Sequence, residues 1–332
     1  MASAESFATY FGGKGANQAV ACARLSRLKT DNGIITAPSA FVRMAGCVGD
    51  DDFGTPLKNS LQADGVDVGS VETKHGVATG VAVILVTQPL KHCLSRPRIQ
   101  RLLEVWLHML MHNGGITQVE PSGENRILIT AGANGLCEPS AALLTPAPAL
   151  LVMQLEIPRN TVLEMLKLAA ESSPPIATLL NPAPASQLPE SAYQRITHLI
   201  VNETEAAILG GGGAALRIDV ETEMMEDCRR LTQEFVNRGV RGSIVITLGA
   251  KGAFWHDVKA GKDGLVPSEK VQVVDTTAAG DTFIGAFAVK VVNGNPISIA
   301  VAYAVHASAK TVTKQGAQSS IPWRDEVDTP TS

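Results

Sequence analysis

The sequence predicts an α/β fold, a doubly wound and mostly parallel sheet flanked by helices. Short apolar runs rich in β-branched residues alternate with stretches of helical periodicity. The runs are unbroken enough for strands covered on both faces, and glycine and proline gather between them.

In chain order the strand-like runs fall at 80–86, 149–155, 198–201 and 243–248. Residues 161–169 and 225–236 carry apolar side chains at i, i+3 and i+4, the spacing of crossover helices lying on a sheet. Ser172-Ser173-Pro174-Pro175 and Asn181-Pro182-Ala183-Pro184-Ala185 read as rigid turns, because proline fixes φ and removes a donor. The glycines at 210–213 read as a flexible connection. No repeat or low-complexity linker divides the chain, so 1–332 reads as a single domain.

Residues 89–115 depart from this order. They follow a strand and precede another apolar run at 126–129, where a short hairpin connection is expected. Instead the segment carries Lys91, Arg96, Arg98 and Arg101 and then an amphipathic stretch at 102–111, which makes it an atypical insertion. His108 and His112 stand at i, i+4, a spacing open to a metal pair, but no carboxylate or cysteine completes a ligand set, so an exposed insertion is the better reading.

A chain of 332 residues that is 45% hydrophobic is long enough to bury a large core. A formal net charge of -4 and an isoelectric point near 6.0 leave no basic stripe, which argues against nucleic acid or an anionic membrane as partner. No apolar run approaches the ~20 residues that span a bilayer, and the start, Met1 to Glu5, has no signal-peptide pattern. The five cysteines, Cys22, Cys47, Cys93, Cys137 and Cys228, are scattered and never spaced C-x-x-C. That pattern argues against a disulfide frame or zinc site and leads to the expectation of a reducing, cytoplasmic setting, with nuclear presence compatible.

The most informative stretch, 271–289, reads as a strand, a small-residue turn and an apolar helix, with Asp275-Thr276-Thr277-Ala278-Ala279-Gly280-Asp281 at its centre. Such a turn aims the free N–H groups of Ala278, Ala279 and Gly280 at one point, and the helix dipole adds positive potential there. Asp281 beside that anion site is placed to take a proton from an attacking hydroxyl while the amides hold charge on a transferred phosphoryl group. Taken alone, the pattern suits a plain helix cap equally well.

At the other end, Phe11-Gly12-Gly13-Lys14-Gly15-Ala16-Asn17-Gln18 is a glycine-rich turn opening onto a helix. It is not a phosphate-binding G-x-x-x-x-G-K-S/T loop, because Gly15 stands where the hydroxyl is required. The glycines permit close approach to a polar ligand and Asn17 offers both donor and acceptor, although a tight turn with a capping asparagine fits as well.

These strings resemble the ribokinase-like (PfkB) carbohydrate kinases, whose C-terminal signature reads much like D-T-x-A-A-G-D-T-F and whose N-terminal signature reads G-G-K-G-A-N-Q-A. The resemblance continues in order through Gln154-Leu155-Glu156, Asn181-Pro182-Ala183-Pro184-Ala185, Asn202-Glu203-Thr204-Glu205, Thr247-Leu248-Gly249-Ala250-Lys251-Gly252 and Gly316-Ala317-Gln318-Ser319-Ser320, and so spans Phe11 to Trp323 apart from the insertion.

The resemblance implies ATP-dependent phosphorylation of D-ribose to ribose 5-phosphate. It makes Asp281 the catalytic base and Ala278, Ala279 and Gly280 the anion hole. It places Gly13, Lys14, Gly15, Ala16, Asn17, Glu156 and Asp281 around the sugar. For ATP it implies Asn202, Thr247, Leu248, Gly249, Ala250, Lys251, Gly252, Gly280, Asp281 and, near adenine, His306. Glu205 would reach Mg²⁺ through water, and Asp275, Thr277, Thr311, Lys314, Gly316 and Ser320 would hold K⁺, several through backbone oxygens. It further implies a small β lid, at 76–87 and 126–130, through which a homodimer would form.

Family members also begin with an apolar strand ending in N-x-D, then a lid strand, upstream of the glycine loop. Here Gly12 comes almost at once, so the expectation is that this strand is missing and the lid incomplete. Two alternatives follow: a kinase of the same family for another sugar or a nucleoside, and an inactive remnant.

Overall fold

The computed structural model describes residues 10–29, 36–86, 125–210, 216 and 220–328. The insertion at 89–115, with its basic residues, His108 and His112, lies outside the described residues, as would any strand at 1–9.

The main sheet has six strands: β5 (Leu150–Met153), β6 (Ala177–Leu180), β7 (His198–Asn202), β8 (Ser243–Thr247), β9 (Ala253–Asp257) and β10 (Lys262–Val266), arranged side by side in chain order. β5 to β8 run parallel, and β9 and β10 close the far edge antiparallel. β7 and β8 are apolar and buried along nearly their whole length, as strands covered on both faces must be. β5 is the other edge, and Leu150, Leu151 and Val152 are only half-buried there, unlike the fully covered strand its sequence predicts.

Two small sheets stand apart. β1 (Arg43–Gly49) pairs in parallel with β2 (Asp67–Lys74), and β3 (Val81–Val86) pairs antiparallel with β4 (Asn125–Thr130). The run at 80–86 therefore belongs to a two-stranded sheet and not to the central one. Arg43 ties β1 back to the main body by donating to the carbonyls of Leu143 and Thr145.

Helices cover the sheet. α1 (Lys14–Leu25), α7 (Ala279–Val292) and α8 (Ile297–Thr311) pack into one core with Ile200 and Val245, while α3 (Arg159–Glu171) and α6 (Glu221–Arg238) pack into a second with Leu199, Ile244 and Ile246. Alternate residues of β7 and β8 thus face opposite layers, the period-2 rule acting in a doubly wound sheet. The shorter helices are α2 (Gly54–Ala63), α4 (Glu190–Tyr193), α5 (Glu203–Leu209) and α9 (Arg324–Asp328). On α7, Phe283, Ile284 and Phe287 are buried, each contributing about 1.5–3 kcal/mol.

α1 and α7 approach so closely at Gly285 that a Cβ there would lie 2.4 Å from Cβ of Ala21. A side chain at 285 would force the two helices apart. The contact is held from the other side by Arg24 on α1, which makes a forked pair with Asp64 at 2.8 and 3.0 Å and donates to the carbonyls of Gln318 and Ile321. Both charged partners are largely buried, so each depends on the other for its hydrogen bonds.

The segment 271–274, read from sequence as a strand, is irregular, and Val273 and Val274 are 59% and 58% exposed. Among the described residues its β-branched residues find no sheet edge; instead the N–H groups of Val274 and Asp275 both donate to the carbonyl of Val312. Among the described residues no helix is long and apolar enough to cross a membrane.

Candidate active site

The parallel strands β5 to β8 deliver their carboxyl ends to one side of the sheet, where open α/β sheets bind ligands. Gln154 and Glu156 follow β5, Asn181 follows β6, Asn202 ends β7, and Thr247 ends β8. The N-termini of α1 and α7 meet this side from the helical layer.

Gly13 caps α1 with φ of 91°, a left-handed conformation that glycine adopts without strain. That turn points the Lys14 N–H at Glu156, which accepts it through Oε2 at 2.7 Å. Burial pushes the Glu156 carboxyl above its ordinary value; the Lys14 N–H and amino group oppose this, and the nearby charge of Asp281 adds to it. One turn further along α1, Asn17 Nδ2 donates to Asp281 Oδ2 at 2.8 Å. The glycine loop, Glu156 and Asp281 therefore form one cluster, although they come from three distant parts of the chain.

Asp281 lies in the first turn of α7, and both its carboxylate oxygens are held: Oδ2 by Asn17 and Oδ1 by Gln18 Nε2 at 3.0 Å. Ala278 caps this helix in a left-handed conformation, φ 61°, the sole non-glycine residue with positive φ among those described. Such a conformation costs an alanine roughly 1–2 kcal/mol and persists only where the surroundings enforce it. Here the enforcement comes from Asp275, whose Oδ1 accepts the Thr277 N–H and whose Oδ2 accepts the Gly316 N–H, each at 2.9 Å. Burial raises the Asp275 carboxyl, but the Thr277 hydroxyl, together with the Gly316 and Thr277 N–H groups, outweighs it and holds the group below its ordinary value. The Ala279 N–H bonds to the Thr276 carbonyl at 3.3 Å, while those of Ala278 and Gly280 find no acceptor among the described residues.

At the carboxyl end of β7, Asn202 and Glu205 form a capping box at the start of α5: Asn202 Oδ1 accepts the Glu205 N–H at 2.8 Å and Glu205 Oε2 accepts the Asn202 N–H at 3.0 Å. Residues 249–251 are a tight turn joining β8 to the antiparallel β9, which leaves Ala250 and Lys251 exposed at its tip. His306 Nδ1 is paired with Glu269.

Among the described residues no group of three or more histidine, cysteine, aspartate or glutamate side chains could enclose a metal. Mg²⁺ does not need such a cage, because it keeps several waters and shares the oxygens of substrate phosphates, and a lone carboxylate such as Glu205 fits that habit. For a monovalent cation the donors present are oxygens: the Asp275 carboxylate, which retains lone pairs beyond its two N–H bonds, the buried Ser320 hydroxyl and nearby backbone carbonyls. The Thr311 hydroxyl is engaged elsewhere, 2.9 Å from the Thr282 hydroxyl and 3.2 Å from the Ala307 carbonyl, and the Lys314 ammonium pairs with Glu326. Those two residues therefore have only backbone oxygens to offer, and the Thr311 carbonyl already accepts the Lys314 N–H.

Sequence reasoning missed Gln18, Gln154 and the Asn181 side chain. Gln18 is 1% exposed, and beyond Asp281 it meets Gln154, whose Nε2 donates to Gln18 Oε1 at 2.5 Å. Its own Nε2 lies 3.4 Å from Asn181 Oδ1, and Asn181 Nδ2 donates to the carbonyl of Ile200. Gln18 adjoins Asn17, and Gln154 and Asn181 stand within strings the motifs did single out, which was the available signal.

A sheet whose parallel strands end at a glycine-turn helix and an aspartate-bearing helix N-terminus defines a small-molecule phosphotransferase. The chain belongs to the pfkB family of carbohydrate kinases, which it matches over residues 1–106 and 112–324. It is 37% identical over 328 residues to a ribokinase of Schizosaccharomyces pombe, a match covering 98% of this chain and 87% of that one. Its fold is similar to that of Arabidopsis thaliana ribokinase complexed with ribose and ATP, with TM-score 0.73 and 25% identity over 98% of this chain and 89% of that one. It is also similar to Cryptococcus neoformans ribokinase in complex with ADP, with TM-score 0.70 and 28% identity over 95% of this chain and 87% of that one.

Proposed function

We propose that this protein transfers the γ-phosphoryl group of ATP to D-ribose, giving ribose 5-phosphate and ADP. The observation that carries the reading is the convergence of Asn17, Glu156 and Asp281 beside the N-terminus of α7. The relatives' activity on ribose supports the choice of sugar.

In this reading Gly13, Lys14, Gly15, Ala16, Asn17 and Glu156 hold the sugar hydroxyls. Asp281 accepts the proton of the primary hydroxyl as its oxygen bonds to the γ-phosphorus and the bond from phosphorus to the ADP oxygen breaks. A carboxylate suffices, because the loose transition state asks the base mainly to orient the nucleophile. The N–H groups of Ala278 and Gly280, joined by that of Ala279 once it leaves the Thr276 carbonyl, hold the charge on the transferred phosphoryl oxygens at the positive end of α7. Asn202, Thr247 to Gly252 and His306 line the nucleotide, with His306 leaving Glu269 to meet the base.

Bound with ATP, Mg²⁺ would neutralise phosphate charge, with Glu205 holding one of its waters. A potassium ion held by Asp275, Ser320 and the carbonyls of Thr277, Thr311, Lys314 and Gly316 would brace the loop that fixes Ala278. The reading also places the protein in the cytosol, in keeping with the free thiols of Cys22, Cys47, Cys137 and Cys228, and pairs two copies through the β3–β4 lid.

The test is ribose-dependent ADP formation by the purified chain, with and without potassium. Turnover that ranks ribose first supports the proposal. A different sugar or a nucleoside ranking first would replace the substrate, and no turnover with any of them would leave a remnant.

A further inference from the structure

Asp281 is gripped by two neighbouring amides of α1, and these two differ in what else they do. Asn17 Oδ1 is buried without a hydrogen-bond partner among the described residues, so its amide has bonding capacity left over. Gln18 has none. Its Nε2 carries two hydrogens and meets two acceptors, Asp281 Oδ1 at 3.0 Å and Asn181 Oδ1 at 3.4 Å, while its Oε1 accepts from Gln154 at 2.5 Å.

The orientation of the Gln18 amide is therefore determined. Turned over, it would set a carbonyl oxygen against the Asp281 carboxylate and an NH₂ group against that of Gln154, two repulsive contacts in place of two bonds. Gln154 and Asn181 stand directly after β5 and β6, so the carboxyl ends of two parallel strands fix this amide and, through it, the carboxylate on α7. At 1% exposure and with its polar atoms satisfied by protein, Gln18 has nothing to give a sugar.

We infer that Gln18 is the positioning residue of Asp281: its amide, set by Gln154 and Asn181, holds the carboxylate rotamer from which Oδ2 faces the substrate hydroxyl. Asn17 exchanges its bond with Asp281 for one to the sugar, and during that exchange Gln18 alone keeps the carboxylate in place. The inference rests on Asp281 being the base, and it assigns the effect of Gln18 to the chemical step and not to binding.

The test compares Gln18→Met, close in size but unable to donate, and Gln154→Met, which keeps the Gln18 donor but removes one of the contacts that set its amide, with Asp281→Asn and the Gln18→Met/Asp281→Asn double variant. Steady-state kinetics are run with ribose and ATP. For Gln18→Met, kcat is expected to fall by about 100-fold, the order of effect of displacing a reacting group by an ångström, with KM for ribose and ATP unchanged within about threefold. Gln154→Met should show a smaller loss of the same kind, and the double variant should be no slower than Asp281→Asn alone.

If Gln18→Met does not fold, the Gln154→Met result decides, and an unaltered kcat in it overturns the inference. A Gln18→Met enzyme with normal kcat, or with a loss confined to KM, also overturns it. Should Asp281→Asn itself retain turnover, the assignment of the base fails, which the single variants distinguish from a failure of Gln18 alone.

Discussion

Asn17 and Asp281, 264 positions apart in the chain, are joined by a 2.8 Å hydrogen bond from Nδ2 to Oδ2. The bond joins the first turns of α1 and α7, so the position of each side chain depends on the other's. Four consequences of this architecture can be measured.

Replacing Asp281 by asparagine keeps the shape and removes the proposed proton acceptor. Turnover should fall by about 100- to 10,000-fold, the usual contribution of a positioned general base. ATP affinity, measured by calorimetry, should change little, and a variant with an unaltered rate would remove Asp281 from the mechanism.

Glu156→Gln separates stability from function. Burial holds the Glu156 carboxyl above its ordinary value, so as pH rises through the ordinary glutamate range the unfolded chain releases this proton while the folded chain still binds it. Stability from this group is lost across that window, up to the raised folded value. In urea titrations the stability of Glu156→Gln relative to the parent should therefore increase between acid and neutral pH, while its affinity for ribose drops. A relative stability independent of pH would contradict the burial argument.

The capping box at α5 predicts that Asn202→Ala costs about 1 kcal/mol of stability, the typical price of an N-cap oxygen. Equilibrium denaturation measures this directly. Asn202→Asp retains the cap acceptor and should recover most of the loss without ligand. With ATP present the new carboxylate should weaken nucleotide binding, because it places a negative charge at the proposed phosphate side.

Arg24→Lys keeps the charge but loses the fork. A single ammonium cannot serve both Asp64 oxygens and the carbonyls of Gln318 and Ile321 at once. The variant should lose about 1–3 kcal/mol, the cost of leaving a buried acceptor without its hydrogen bond, seen as a lower urea midpoint with an unchanged slope. A midpoint within experimental error of the parent would show the clasp to be dispensable.

The layers of the fold were legible from periodicity, because covered parallel strands and amphipathic helices leave plain patterns at 198–201, 243–248, 161–169 and 225–236. Asp281, Glu156 and Asn17 were legible because their types and neighbours form recognisable strings. Gln18 and Gln154 were not, since a buried amide that serves a carboxylate looks in sequence like any polar helix or loop residue. Val273 and Val274 misled for a related reason: β-branched content favours extended backbone, but a strand also needs an edge to pair with, and the segment meets only the carbonyl of Val312.

Ala21 and Gly285 each stand one helical turn beyond Asn17 and Asp281 on the same pair of helices. The tight fit at Gly285 acts as a gauge block: it sets how far α1, which carries Asn17, can stand from α7, which carries Asp281. Under the proposed function this spacing would tune the width of carbohydrate admitted between the two helices, and a single added methyl group at 285 would act as a wedge.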